Sequence, residues 1–257
     1  MPEPNRGQEH PEIGSPDWLE RYSRQTLLKG VGVEGQKKWA QATLRVIGEG
    51  EALEACLTAL ASSGAGNLRI VTNPGKANNF YRGDAKKDVV LEEGQNRKIF
   101  DIKSFSIDHP QTQVDLLSEL STPSNADLTV VVTGDAELRR QTSRQLRSQK
   151  KVGVFAWPAA SGFALWVGPH AEGKCPCLEC FEVLNPKAFN KGTPVIQRLL
   201  GQAAASEALL YLLNGNSPLA NKVCINALDV GISLHHEVHP SYKCPAQLED
   251  EGATVTP

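Results

Sequence analysis

A strand-like run, Thr43-Leu-Arg-Val-Ile47, passes directly into Gly48-Glu-Gly50, then into a helical stretch ended by Ser63-Gly-Ala-Gly66, then into a second apolar run from Asn67 to Val71. The spacing predicts strands over 43–47 and 67–71 with a helix over 51–63 between them. Leu53, Leu57, Leu60 and Ala61 recur at helical spacing, and Gly64 and Gly66 supply the left-handed or close-approach positions at which helices end. Strand, glycine turn, helix and strand make a βαβ unit. Its two strands must run in the same direction with the helix packed on their sheet, which confines the chain to α/β architectures built on a parallel sheet.

The remainder of the chain extends that pattern. Trp18, Leu19, Tyr22, Leu27, Leu28, Val31 and Trp39 fall at mixed spacing within 18–41, as in short helices laid across a neighbouring surface. Residues 73–75 and 82–98 read as loops, 99–107 as a strand and 113–120 as a helix. Leu128–Val132 is the clearest buried strand; 138–150 reads as a basic helix, 152–156 as a strand and 163–167 as its hairpin partner. Beyond a cysteine cluster, Pro194–Leu213 reads as a buried Ala/Leu-rich helix, and 223–228 and 231–238 as antiparallel strands. The alternation predicts a mostly parallel, doubly wound sheet with an antiparallel C-terminal extension.

Composition sets the outer bounds. With 257 residues, of which 40% are hydrophobic and 22% charged, the chain can bury one full core, expected over 18–247. Residues 1–17, rich in Pro, Glu and Gly without an apolar run, read as a disordered lead, and 248–257 as a tail. A net charge of −2 and a pI near 6.3 leave no basic footprint for nucleic acid, and the longest apolar runs are too short to span a membrane. Six cysteines without an export signal point to reduced thiols or metal ligands in the cytoplasm.

Several motifs stand in one order: Arg21-Tyr-Ser-Arg-Gln25, the glycine loop 48–53, Asn79-Phe-Tyr-Arg82, Pro176-Cys-Leu-Glu-Cys180 and Tyr242-Lys-Cys-Pro-Ala-Gln247. This order resembles the ThiF/MoeB/HesA family, relatives of ubiquitin-activating enzymes, without a gap from Arg21 to Val71. The resemblance implies a Rossmann-like doubly wound fold, adenylation of a carrier protein's C-terminus with MgATP, and a dimer.

The same resemblance exposes what the chain lacks. A phosphate loop uses one glycine for its turn, one for backbone approach to phosphate and one for helix packing. Gly48 and Gly50 fill the first two, Leu53 stands at the third, and Glu49 and Glu51 place carboxylates where a polyphosphate would lie. The family's Asp-x-Asp falls on Thr72 and Pro74. Asn79 and Arg82 match its next motif, Lys86, Lys87 and Lys98 give no clear counterpart of its phosphate lysine, and Thr133-Gly134-Asp135 replaces its Thr-Asp-Asn. Asp135 substitutes for the magnesium-associated aspartate only if it shifts by one residue. Thus Gly48, Gly50, Asn79, Arg82 and Asp135 read as the remnant of a nucleotide site from which ATP and magnesium are expected to be absent.

Arg24 matches an arginine that family dimers extend into the partner's nucleotide site, the alternative being an ordinary surface ion pair. Cys177, Cys180 and Cys244 match the family's structural zinc site. Gln247 stands at the fourth position, so Cys175, His236 or His239 would complete the shell, against the alternative of packed, reduced thiols. Cys56 and Cys224 read as small buried hydrophobes, the arginines and lysines of 139–151 as a solvated face, with a site for an acidic partner as the alternative, and 157–162 as either the family's carrier-tail channel or a β-turn. The expected function is a non-catalytic subunit, a homodimer or the partner of an active paralogue. An active carrier-protein adenylyltransferase and a binder of a different small ligand are the alternatives.

Overall fold

The computed structural model describes residues 12–71, 113–117, 125–159, 162–169, 178, 192–219, 222–227 and 232–237. Three short helices, α1 (Pro16–Arg21), α2 (Ser23–Thr26) and α3 (Gly32–Gln41), lead into β1 (Thr43–Gly48), α4 (Gly50–Ser62) and β2 (Asn67–Val71). Then come β3 (Gln113–Leu117), β4 (Leu128–Val132), α5 (Ala136–Ser148), β5 (Gly153–Ala159), β6 (Gly162–Gly168), α6 (Pro194–Asn214), β7 (Lys222–Ala227) and β8 (Ile232–Glu237).

The described strands form one sheet in the order β3-β2-β1-β4-β5-β6-β7-β8. Strands β3, β2, β1, β4 and β5 run parallel, and β6, β7 and β8 join antiparallel. The expected βαβ unit and antiparallel extension are both present. Gln113–Leu117, expected as the start of a helix over 113–120, is instead a strand in parallel register with Asn67–Val71, the last in the sheet among the described residues. Five residues carry too little intrinsic preference to resist a neighbouring strand that offers a complete hydrogen-bond ladder.

Both faces of the parallel sheet are covered, so its strands are apolar on successive residues rather than alternate ones. Leu44, Val46, Leu68, Ile70, Leu128 and Val130 pack with α4 and α6, while Ile47, Val131, Phe155, Trp157 and Trp166 pack on the opposite face with Leu146 of α5. Helix α6 starts at a Thr193 cap followed by Pro194 and stops at Gly215 in the left-handed region (φ 69°). Its small residues, Gly201, Ala204, Ala205 and Ala208, are buried and bring it close to α4. Helix α3 clasps the C-terminal end of α6: Trp39 Nε1 donates to the Leu209 carbonyl at 2.9 Å and Lys38 Nζ to the Leu213 carbonyl at 3.2 Å.

Arginines 139 and 147 correct the expectation of a wholly solvated α5. Arg139 is fully buried on the side of α5 that meets Thr133 and Trp157, and one guanidinium nitrogen of Arg147 is inaccessible. Segment 157–162 is likewise mostly sheet: Trp157 opposes Ala164, Pro158 opposes Phe163 and Ala159 opposes Gly162. Cys56 and Cys224 are buried, as expected of small apolar side chains.

Candidate functional site

Strand β1 has β2 on one side and β4 on the other, so the chain's winding reverses between β1 and β4. In an open α/β sheet the crevice beyond the carboxyl ends of two such strands is where ligands bind. Gly48 ends β1, Val132 ends β4, and the two are register partners. A Cβ at Gly48 would overlap the Val132 carbonyl, so glycine is what lets these strand ends approach.

Two helices start at this edge. Gly50, with φ of 66°, opens α4 immediately after Glu49, whose side chain makes no cap hydrogen bond. On the neighbouring strand, Asp135 caps α5: its Oδ1 accepts from the Glu137 and Leu138 amides at 3.0 and 3.1 Å, and its own amide donates to Thr133 Oγ1 at 3.1 Å. The structure therefore gives the Asp135 carboxylate a helix-capping role. Glu137, next in the turn, is held below the usual carboxylate range by hydrogen bonds from Arg140 and Gln141.

The acidic residue of the first turn of α4 is also engaged. Glu51 Oε2 accepts from Arg198 Nε on α6 at 2.8 Å, with the Glu51 side chain only 13% exposed and that of Arg198 68% exposed. Below the crevice, Arg139 donates to the Thr133 carbonyl at 3.0 Å, and its guanidinium carbon lies 5.2 Å from the centre of the Trp157 ring. That contact fixes the path of the 133–135 turn.

Arg24 is not brought to this crevice. Gln25 Nε2 donates to the Ser62 carbonyl at 3.3 Å, which docks α2 at the C-terminal end of α4, whereas the crevice lies at its N-terminal end. At 1.5 Å per residue the helix separates the two by roughly 18 Å. Gly48, Gly50 and Asp135 are gathered at one edge. Thr72, Pro74, Asn79, Arg82, Cys175, Cys177, Cys180, Cys244, His239 and Gln247 lie outside the described residues, and His236 is described only as backbone within β8. Among the described residues no group of three or more His, Cys, Asp or Glu is placed to hold a metal ion. Sequence reasoning missed Arg198 and Arg139. Arg198 stands 147 residues from Glu51 and carries no local signal, while Arg139 was one of several arginines on a single helix.

A mostly parallel α/β sheet with a glycine turn and two helix N-termini at its switch point places the protein in the doubly wound class. No family model matches the chain. It is 24% identical over 217 residues to the vegetative HesA protein of Trichormus variabilis, covering 80% of each chain. It is 25% identical over 240 residues to the sulfur carrier protein ThiS adenylyltransferase of Bacillus subtilis, covering 86% of this chain and 70% of that one. A crystal structure of Escherichia coli MccB with MccA superimposes with a TM-score of 0.66 at 15% identity, covering 88% of this chain and 73% of that one. These similarities support a place in the ThiF/MoeB/HesA family, the group related to carrier-protein adenylyltransferases. No helix among the described residues is long and apolar enough to cross a membrane.

Proposed function

We propose that the protein is a non-catalytic ThiF/MoeB-like subunit, a scaffold or regulatory partner in a ubiquitin-like or sulfur-carrier pathway. One observation carries this reading: the first turn of α4, where a phosphate would meet backbone amides, holds the largely buried carboxylate of Glu51 tied to Arg198. A fixed anion there repels a second anion and uses the nearest cation. Thr72 and Pro74 in place of two aspartates, and Gly134 in place of a third, support the same reading. Apolar side chains left exposed in the turn after α2 (Leu27, Leu28), on α3 (Val33) and on α6 (Val195, Leu199, Leu210) support assembly with a second subunit, as a homodimer or with an active paralogue. A ubiquitin-like carrier protein is the further partner proposed, and a structural zinc on Cys175, Cys177, Cys180 and Cys244 the proposed metal.

The glycine turn supports a second reading, an active adenylyltransferase of a carrier protein's C-terminus. Gly48 and Gly50 keep the close approach and the left-handed backbone that a phosphate-binding turn requires. A different small ligand in the crevice is the third. Calorimetric titration with MgATP, with and without carrier protein, separates them. The expected result is no heat of binding and no pyrophosphate exchange by the protein alone. A dissociation constant in the low micromolar range, or carrier-dependent exchange, would sink the non-catalytic reading.

A further inference from the structure

We infer that Glu51 acts as the crevice's own anion, and that the Glu51–Arg198 pair is the specificity element that keeps polyphosphate out. This rests on the proposed non-catalytic reading and names the contact that enforces it. The residues come from two helices that approach closely: α4 opens at the crevice with Glu51 in its first turn, and α6 brings Arg198 over it at 2.8 Å. Their exposures differ in a telling way. The carboxylate is the covered partner, at 13%, and the guanidinium the solvent-side one, at 68%. An incoming phosphate would therefore meet a cation already neutralised and, behind it, a negative charge held in a poorly screened place.

The charge arrangement makes the exclusion removable. Without the Glu51 charge, Arg198 keeps its place on a rigid helix but loses its counter-ion. A guanidinium beside a helix N-terminus that lacks a side-chain cap is then suited to phosphate oxygens, which it can meet with paired N–H donors. Arg198 is exposed enough for water to solvate it after the pair is lost, so the exchange leaves no buried unpaired charge.

The test is calorimetry with inorganic pyrophosphate and with MgATP on the wild-type protein, Glu51→Gln, Arg198→Ala and the double variant. Glu51→Gln is expected to bind pyrophosphate at least tenfold more tightly than wild type, the double variant to lose that gain, and Arg198→Ala to bind no better than wild type. If the glutamine variant melts below the assay temperature, Glu51→Ala takes its place. A folded Glu51 variant with no gain overturns the inference, and so does a gain that survives removal of Arg198. The wild-type arm reports separately on the non-catalytic reading: tight MgATP binding there defeats that reading whatever the variants do.

Discussion

Gly201 of α6 sits directly on the carbonyl of Ala52 in α4, with the Ala55 Cβ and the Cys56 amide nitrogen each 3.0 Å from where its own Cβ would be. The neighbours that crowd it include helix backbone, which cannot rotate aside as a side-chain tip can. Gly201→Ala should therefore push α6 off α4 and destabilise the protein by about 1–3 kcal/mol, although alanine is the better helix former. For a chain of this size that lowers the melting temperature by roughly 2–12 °C. A melting curve unchanged within a degree would show that the two helices separate without cost.

Arg139 joins the opposite helix layer to the crevice through a hydrogen bond to the Thr133 carbonyl and a ring contact with Trp157. Arg139→Ala removes both, and about 2–4 kcal/mol of stability should go with them. Arg139→Lys should recover only part, since an ammonium does not reproduce the flat donor fork over the ring. Urea midpoints for the three proteins check the order; equal midpoints would mean that burial of this arginine adds no net stability.

The fold was largely legible because the βαβ unit and the buried strands carry their signals locally, in runs of five or six residues such as Leu128–Val132. Segment 113–117 was not, because its pairing with 67–71 is a tertiary fact. The crevice was half legible. Gly48, Gly50 and Asp135 follow their strands in sequence, and an aspartate directly before a helical stretch is a local capping signal, but nothing near Glu51 announces Arg198. Local patterns record the backbone path, whereas ion pairs between distant elements become visible only after packing.

Cys56 is fully buried on α4, and burial pushes its thiol up to about 12. The unfolded thiol ionises near 8.5. Between those values the unfolded state releases a proton that the folded state keeps, so stability whole below about pH 8.5 is lost as pH rises towards 12. Tyr22 and Tyr211, also raised by burial, add slopes of the same sign at higher pH. Comparing denaturation midpoints at pH 8 and pH 10.5 in wild type and Cys56→Ala isolates the thiol: the variant should lose less between the two. Equal losses would mean that Cys56 reaches solvent in the folded state.

The zinc proposal predicts one zinc per chain in protein purified without chelators. Cys180→Ser should lose most of that metal and melt at a lower temperature, since a structural thiolate shell contributes folding energy directly. Substoichiometric zinc together with an unchanged melting point would leave packed, reduced thiols as the account of these cysteines.

Arg24 is exposed, and α2 holds it at the end of α4 remote from its own crevice. On the proposed reading as one subunit of a dimer, a cation placed there would serve a phosphate only in the other subunit. Arg24→Ala should accordingly change the stability of the isolated chain by no more than about 0.5 kcal/mol. Mixed with an active paralogue, the variant should still form the complex, yet lower the paralogue's adenylation rate about tenfold or more, the loss expected when a charge-assisted hydrogen bond of roughly 1.5–3 kcal/mol is made mainly in the transition state. Light scattering reads assembly, and pyrophosphate exchange reads rate. Loss of the complex with the arginine would make Arg24 an interface residue, and an unchanged rate in an intact complex would leave it a surface charge.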